Sequence, residues 1–140
     1  MSGDPRKLFV YGSLLSTVGL PAHELLHPGT SFVATGSVAG RLYDTGDYPA
    51  LVPAGSAHER VHGELYALDR GDPETLLARL DRFEGYIPEE PSASLFLRIR
   101  TEVALDTGEC TPAWTYLYNR PAQGFSRIPS GDYAAHRRAG

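Results

Sequence analysis

The stretch HELLH at residues 23–27 matches the pattern by which many zinc peptidases hold their metal. Its two histidines, His23 and His27, are one helical turn apart and can share a zinc ion, with Glu24 as the general base. A pair of this kind needs a long helix to fix the ligand geometry and a third ligand from elsewhere in the protein. Whether this motif can bind zinc therefore depends on the length of its helix.

Two prolines bracket this stretch and leave room for about two helical turns. Pro28 directly follows the second histidine and biases it away from helical backbone angles. We therefore expect a short connecting helix with Leu25 and Leu26 on the core, and we keep a zinc hydrolase that uses His23 and His27 as the least favoured hypothesis.

Glu84 is a second candidate, at the C-terminal end of a predicted helix between Phe83 and Gly85. The negative end of the helix dipole and an apolar setting both disfavour a carboxylate, so they raise its pKa. A carboxyl group that titrates near neutral pH suits proton transfer. The alternative is an ordinary exposed glutamate at a helix end.

The stretch VYGSLL at 10–15 is a third candidate, because a strand that turns sharply on Gly12 presents consecutive backbone N–H groups at 12–15. Such groups can hold a carboxylate or a developing oxyanion. An ordinary strand end stays open as the alternative. Neither Ser13 nor Cys110 is expected to be a nucleophile: Ser13 lacks the glycine two places later that a nucleophile elbow needs, and Cys110 lies beside a predicted turn.

Short strands joined by turns are expected to position these residues, since 15 glycines and 11 prolines interrupt the chain. One helix is predicted over 72–84, with Asp72 as its cap and Gly85 at its end. The runs 95–105 and 110–118 should form a hairpin around the turn at 106–109. We assign strands to 7–12, 31–44 and 61–68, with Val61, Gly63, Leu65 and Ala67 on one face, and a brief last helix from Ser130.

The order of these elements predicts an α+β fold: a small, mostly antiparallel sheet or barrel with one or two packed helices. The length fits one domain over 1–140. A net charge of -4 without a long basic run argues against nucleic-acid or anionic-membrane partners, which leaves small molecules. A single cysteine and no long apolar segment favour the cytoplasm.

Together these motifs resemble the gamma-glutamylcyclotransferase-like family, in particular its gamma-glutamylamine cyclotransferase branch. The resemblance spans nearly the whole chain and follows the family's order. It is carried by YGSL at 11–14, GRLYD at 40–44, YPAL at 48–51, VHGELYAL at 61–68, LDRFEGY at 80–86, FLRIRTEV at 96–103, AWTYLY at 113–118 and SGDYA at 130–134.

The resemblance implies a small mixed β-barrel with external helices and a cavity at its mouth. It places the catalytic glutamate on Glu84 and the substrate-binding loop on Tyr11, Gly12, Ser13 and Leu14. The implied reaction is intramolecular: the α-amine of a γ-glutamyl amide attacks its γ-carbonyl and releases 5-oxoproline and a free amine or amino acid. It implies neither a metal nor another cofactor.

This chain departs from the family pattern at Phe96, where relatives often have a tyrosine, and some relatives lack the glutamate and only bind ligands. A non-catalytic binding module of the same fold is therefore the main alternative. The leaving amine, the pathway and the oligomeric state stay open.

Overall fold

A computed structural model describes residues 5–12, 14–15, 24–26 and 29–139. The helices are α1, Pro73–Glu84, and α2, Tyr133–Ala139, with a 3-10 turn at Pro91–Ala93. The strands are β1, Lys7–Val10; β2, Ser31–Ala39; β3, Arg41–Asp44; β4, Pro49–Val52; β5, Arg60–Ala67; β6, Phe96–Leu105; β7, Cys110–Tyr118; and β8, Ser126–Arg127.

Five strands close into a barrel in the order β1-β5-β2-β6-β7. Neighbouring strands pair antiparallel except β1 and β7, which run parallel and meet at Leu8 and Trp114. The predicted α+β fold with a mixed, mostly antiparallel barrel and packed helices is thereby confirmed. A second sheet, in the order β4-β3-β8, was not predicted.

Helix α1 begins and ends where its sequence predicts. The side chain of Asp72 accepts a hydrogen bond from the backbone N–H of Glu74, and Pro73 occupies the first helical position. Gly85 then takes the left-handed conformation, with φ of 73°, and its N–H closes the last turn. These local signals fix where Glu84 lies along the chain.

Strands β5 and β6 differ in which of their side chains they bury. In β5, Glu64, Leu65 and Tyr66 are all buried, because Leu65 belongs to the apolar cluster inside the barrel and Tyr66 to the one under α1. In β6, Phe96 and Val103 are buried, whereas Leu97, Ile99 and Leu105 are partly covered. The predicted hairpin of β6 and β7 is confirmed.

Buried apolar residues form two clusters, one under α1 and one inside the barrel. The first joins Leu8, Val10 and Leu14 to the α1 residues Leu76, Leu77 and Leu80. The second contains Phe9, Tyr11, Val38, Leu42, Leu51, Val61, Leu65, Val103, Ala113, Ile128 and Tyr133. Because β1 contributes to both clusters, its end is held firmly beside α1.

The last helix starts at Tyr133 rather than at the predicted Ser130. Asp132 precedes it and accepts a hydrogen bond from the N–H of Ala135 at 3.0 Å, which is the contact of an N-cap. Among the described residues, no helix is long and apolar enough to cross a bilayer.

Candidate functional site

A cavity of about 310 Å³ lies where the end of β1 meets the C-terminal end of α1, the β3–β4 turn and the start of β6. Its volume is in the range of small-molecule sites. Of the residues predicted for the site, it brings together Tyr11, Gly12, Leu14 and Glu84; Ser13 lies outside the described residues. The described lining is Phe9, Val10, Tyr11, Gly12, Leu14, Asp47, Tyr48, Pro49, Phe83, Glu84, Leu95, Phe96 and Tyr116.

Glu84 is the last residue of α1 and faces this cavity. Burial raises the pKa of Glu84 from its ordinary value of 4.5 to about 7, because the surroundings solvate a carboxylate poorly. The direction agrees with the one argued from the sequence. A group that titrates near neutral pH can both accept and return a proton.

The turn after β1 is narrow. The N–H of Leu15 donates to the carbonyl of Gly12 at 2.9 Å, so this donor is engaged within the turn and the predicted set of N–H groups at 12–15 is reduced. A Cβ added to Gly12 would lie 2.6 Å from Cγ of Pro49. Only glycine therefore allows the turn to pack this closely against the start of β4.

Two tyrosine hydroxyl groups at the cavity wall donate their protons within the protein. Tyr11 donates to the backbone carbonyl of Tyr116 at 2.6 Å, and Tyr116 donates to the Asp81 carboxylate at 2.7 Å. Burial, and then the neighbouring charge of Glu84, raises the pKa of Tyr11 well above its usual range. Burial, the Asp81 bond and the charge of Glu84 also raise the pKa of Tyr116. Both phenols stay protonated at neutral pH.

Asp81 lies one turn before Glu84 on α1 and is 6% exposed. The Arg98 guanidinium donates to both of its oxygens, from Nε at 2.8 Å and from Nη2 at 3.3 Å. The guanidinium in turn lies 4.5 Å from the ring centre of Trp114. A charged network thus continues from the cavity wall to the far side of α1.

Aromatic rings form one wall of the cavity and continue towards its rim. Phe96 contacts Tyr48 at 5.6 Å and Tyr118 at 5.3 Å between ring centres, and Tyr118 contacts Phe125 at 6.3 Å. Phe96 therefore keeps the ring but not the hydroxyl that relatives often have here. Tyr48 lines the cavity, whereas Tyr43, Tyr86 and Tyr118 are not among its described lining residues.

The charge of the described lining is negative. Asp47 and Glu84 are its carboxyl groups, and it includes no lysine, arginine or histidine. Such a lining favours a cationic group on a ligand, such as an ammonium.

Three residues of this site or next to it were not predicted: Asp47, Asp81 and Tyr116. Asp81 and Glu84 are both in LDRFEGY, at the spacing that places two side chains on one helical face. That spacing was a usable signal. Tyr116 had no such signal, since only the pairing of β7 with β1 brings it to the cavity.

The other candidates lie elsewhere. Cys110 is exposed at the start of β7 and is not among the described lining residues. His23 and His27 are outside the described residues, so the zinc hypothesis stays a prediction. Between them, Glu24 is exposed, Leu26 is buried and Leu25 packs against the core, as the short-connector interpretation predicts. In the parts of the chain that the structure describes, no group of three or more His, Cys, Asp or Glu side chains is arranged to hold a metal.

Comparison with known proteins gives consistent matches. The family model described as "Gamma-glutamyl cyclotransferase, AIG2-like" matches residues 8–135. A protein of Vibrio cholerae whose name assigns it provisionally as a gamma-glutamylcyclotransferase is 38% identical over 92 residues, which cover 66% of this chain and 64% of that protein. This chain thus spans slightly less than two thirds of that relative's length.

Solved structures share the fold. An AIG2-like protein from Mus musculus superposes with a TM-score of 0.68 at 22% identity, over 94% of this chain and 89% of that chain. YkqA from Bacillus subtilis superposes with a TM-score of 0.71 at 24% identity, over 96% of this chain but 41% of that one. At these identities the superpositions establish the common architecture.

Proposed function

We propose that this chain releases 5-oxoproline and a free amine from a γ-glutamyl amide. The premise is its family: the chain belongs to the gamma-glutamyl cyclotransferase, AIG2-like family. The α-amine nitrogen of the substrate attacks its own γ-carbonyl carbon. A five-membered ring closes as the new C–N bond forms, and the original amide C–N bond breaks. The reaction needs no nucleophile from the protein.

One observation carries the proposal: Glu84 faces the cavity beside the turn at Tyr11 and Gly12, with its pKa raised to about 7. The substrate enters with an α-ammonium, which must lose a proton before its nitrogen can attack. The leaving nitrogen must gain a proton. A single carboxyl group that titrates near neutral pH can accept the first proton and deliver the second.

The remaining lining supports the same reaction. The negative charge of Glu84 and Asp47 favours the ammonium, and the rings of Tyr48 and Phe96 form an apolar wall beside it. For the substrate carboxylate or the tetrahedral oxyanion, we assign the backbone N–H of Gly12, which lines the cavity.

The test is a screen of γ-glutamyl amides and γ-glutamyl dipeptides for 5-oxoproline release, with native protein and Glu84→Gln in parallel. We expect release by native protein and a loss of at least about 10²-fold in kcat for Glu84→Gln, because the amide does not transfer the proton. Glu74→Gln removes an exposed carboxylate from the other end of α1 and is the matched control. Equal release by native protein and Glu84→Gln would exclude Glu84 as the catalyst.

A non-catalytic binding module predicts a different result from the same screen. Native protein would then turn over none of the compounds, and Glu84→Gln would leave ligand binding intact. Metal analysis of the purified protein tests the zinc hypothesis separately: stoichiometric zinc that is lost in His23→Ala would favour a hydrolase.

A further inference from the structure

The Tyr116 hydroxyl can donate one hydrogen bond, and which carboxyl group accepts that bond affects the pKa of Glu84. Both residues line the cavity, and the Tyr116 oxygen lies 2.7 Å from Asp81, which is one helical turn from Glu84. At this spacing on a helix, side-chain Cβ atoms are about 5–6 Å apart. The charge of Glu84 also acts on the Tyr116 phenol, so this hydroxyl lies near both carboxyl groups, but it carries one proton.

The Asp81 carboxylate is held in place to accept this hydrogen bond. It is fixed by two hydrogen bonds from Arg98, and the guanidinium is held against Trp114. It is buried, at 6% exposure, so water does not compete for the bond. The Tyr116 side chain is 3% exposed and has no room to turn away.

The other groups that face Glu84 offer its carboxylate few hydrogen-bond donors. From β1 comes Tyr11, whose proton is bonded to the carbonyl of Tyr116; from the β3–β4 turn come Asp47 and Tyr48; from β7 comes Tyr116. Its own helix carries Asp81. Of the phenols among these described groups, Tyr11 donates to a carbonyl and Tyr48 interacts with Tyr118, so Tyr116 is the donor that Glu84 would gain if Asp81 did not accept its hydrogen bond.

We propose that Asp81 is a positioning residue for the reaction: its carboxylate accepts the hydrogen bond of the Tyr116 hydroxyl, so that this hydroxyl does not donate to Glu84. This inference rests on the proposed function for its catalytic meaning. Physically, a donor to a carboxylate stabilises the charged form, and without the donor the protonated form persists to higher pH. The Asp81–Arg98 pair thereby keeps Glu84 able to exchange protons near neutrality.

The test measures the titration of Glu84 directly, by NMR of its labelled side-chain carboxyl carbon, and therefore needs no substrate. The double variant Asp81→Leu/Arg98→Met replaces the pair by apolar residues and leaves no unpaired buried charge. It frees the Tyr116 proton, so we expect the pKa of Glu84 to fall by about one unit, the size of one hydrogen bond to a charged group.

A third substitution, Tyr116→Phe, added to that double variant should return the pKa of Glu84 to its native value, because it removes the freed donor. A merely structural role for the pair would also lower the pKa by admitting water, but Tyr116→Phe would not reverse it. An unchanged pKa in the double variant, or a fall that persists in the triple variant, would overturn the proposal.

Tyr116→Phe alone keeps the proposal testable if the double variant does not fold. We expect it to leave the pKa of Glu84 within about 0.3 units, since the native hydroxyl donates to Asp81 and not to Glu84; a clear rise would overturn the proposal. Asp72→Ala weakens the cap of the same helix without touching Tyr116 and is the control for helix stability. Release of 5-oxoproline is measured separately, so its absence would reject the proposed function without deciding the role of Asp81.

Discussion

Glu84, the proposed catalytic residue, lowers the stability of the folded protein at neutral pH. In the unfolded chain it ionises near 4.5, whereas in the folded protein its pKa is about 7. Between these values the folded protein holds a proton that the unfolded chain has lost. The contribution of Glu84 is therefore fully present below about pH 4.5 and is lost as the pH rises through about 7.

Glu84→Gln should remove this loss. The stability of the variant relative to native protein should rise by about 3 kcal/mol as the pH increases from about 4 to about 8. This corresponds to roughly 2.5 pKa units at about 1.4 kcal/mol each. Urea unfolding of both proteins across this range measures the difference. An identical pH dependence in the two proteins would mean that Glu84 is not buried as described.

Gly12 is the residue that lets the turn lie against β4. Gly12→Ala places a methyl group 2.6 Å from the ring of Pro49, which cannot move aside as a flexible chain would. We expect kcat/KM to fall by about 10²-fold as the turn is displaced, while the protein stays folded. Adding Pro49→Ala should restore part of the activity, because it removes the ring that the methyl group meets. If it restores none, the clash does not explain the loss.

Helix α1 is the element that carries both Asp81 and Glu84, and its two ends have separate consequences. The Asp72 carboxylate accepts hydrogen bonds from the N–H of Glu74 and the hydroxyl of Thr75, and these contacts lower its pKa. Gly85, at the other end, lies directly beside the candidate catalytic residue. Changes at the first end should affect stability alone, and changes at the second should also affect the site.

We therefore expect Asp72→Ala to lower the free energy of unfolding by about 1 kcal/mol with little change in kcat/KM. Gly85→Ala should lower stability by at least about 1 kcal/mol and also reduce activity, because φ is 73° and the added Cβ would lie 3.1 Å from Cβ of Leu95. Thermal unfolding and the 5-oxoproline assay measure the two effects. Equal activity losses in both variants would contradict this division of the helix.

At the scale of the whole molecule, barrel closure sets the positions of the site residues. A Cβ on Gly63 of β5 would lie 2.1 Å from the carbonyl oxygen of Val10 on β1, which is backbone and cannot rotate away. Gly63→Ala should therefore push β1 outward at its cavity end. We expect destabilisation by about 2 kcal/mol or more, measured by chemical denaturation, together with loss of activity. A variant of native stability would show that the two strands tolerate separation.

Local signals predicted much of this fold because they act within a few residues. The cap at Asp72, the proline after it, the apolar stripe and Gly85 are all within one helix, and the turn at 106–109 fixes the β6–β7 hairpin. The burial of both faces of β5 had no local signal, because it depends on the two apolar clusters that cover them. The second sheet went unpredicted for a similar reason: β8 is two residues long and is defined by its pairing with β3.

The sequence by itself determined the family resemblance, the two ends of α1 and the presence of Glu84 at its last residue, since each depends on residue types at short spacings. Only the tertiary structure decided what surrounds Glu84. Tyr11 meets Tyr116 across 105 positions of sequence and Tyr116 meets Asp81 across 35, through contacts that exist once the barrel has closed. Burial and hydrogen-bond direction, which set the pKa of a carboxyl group, come from those distant contacts and from no local pattern.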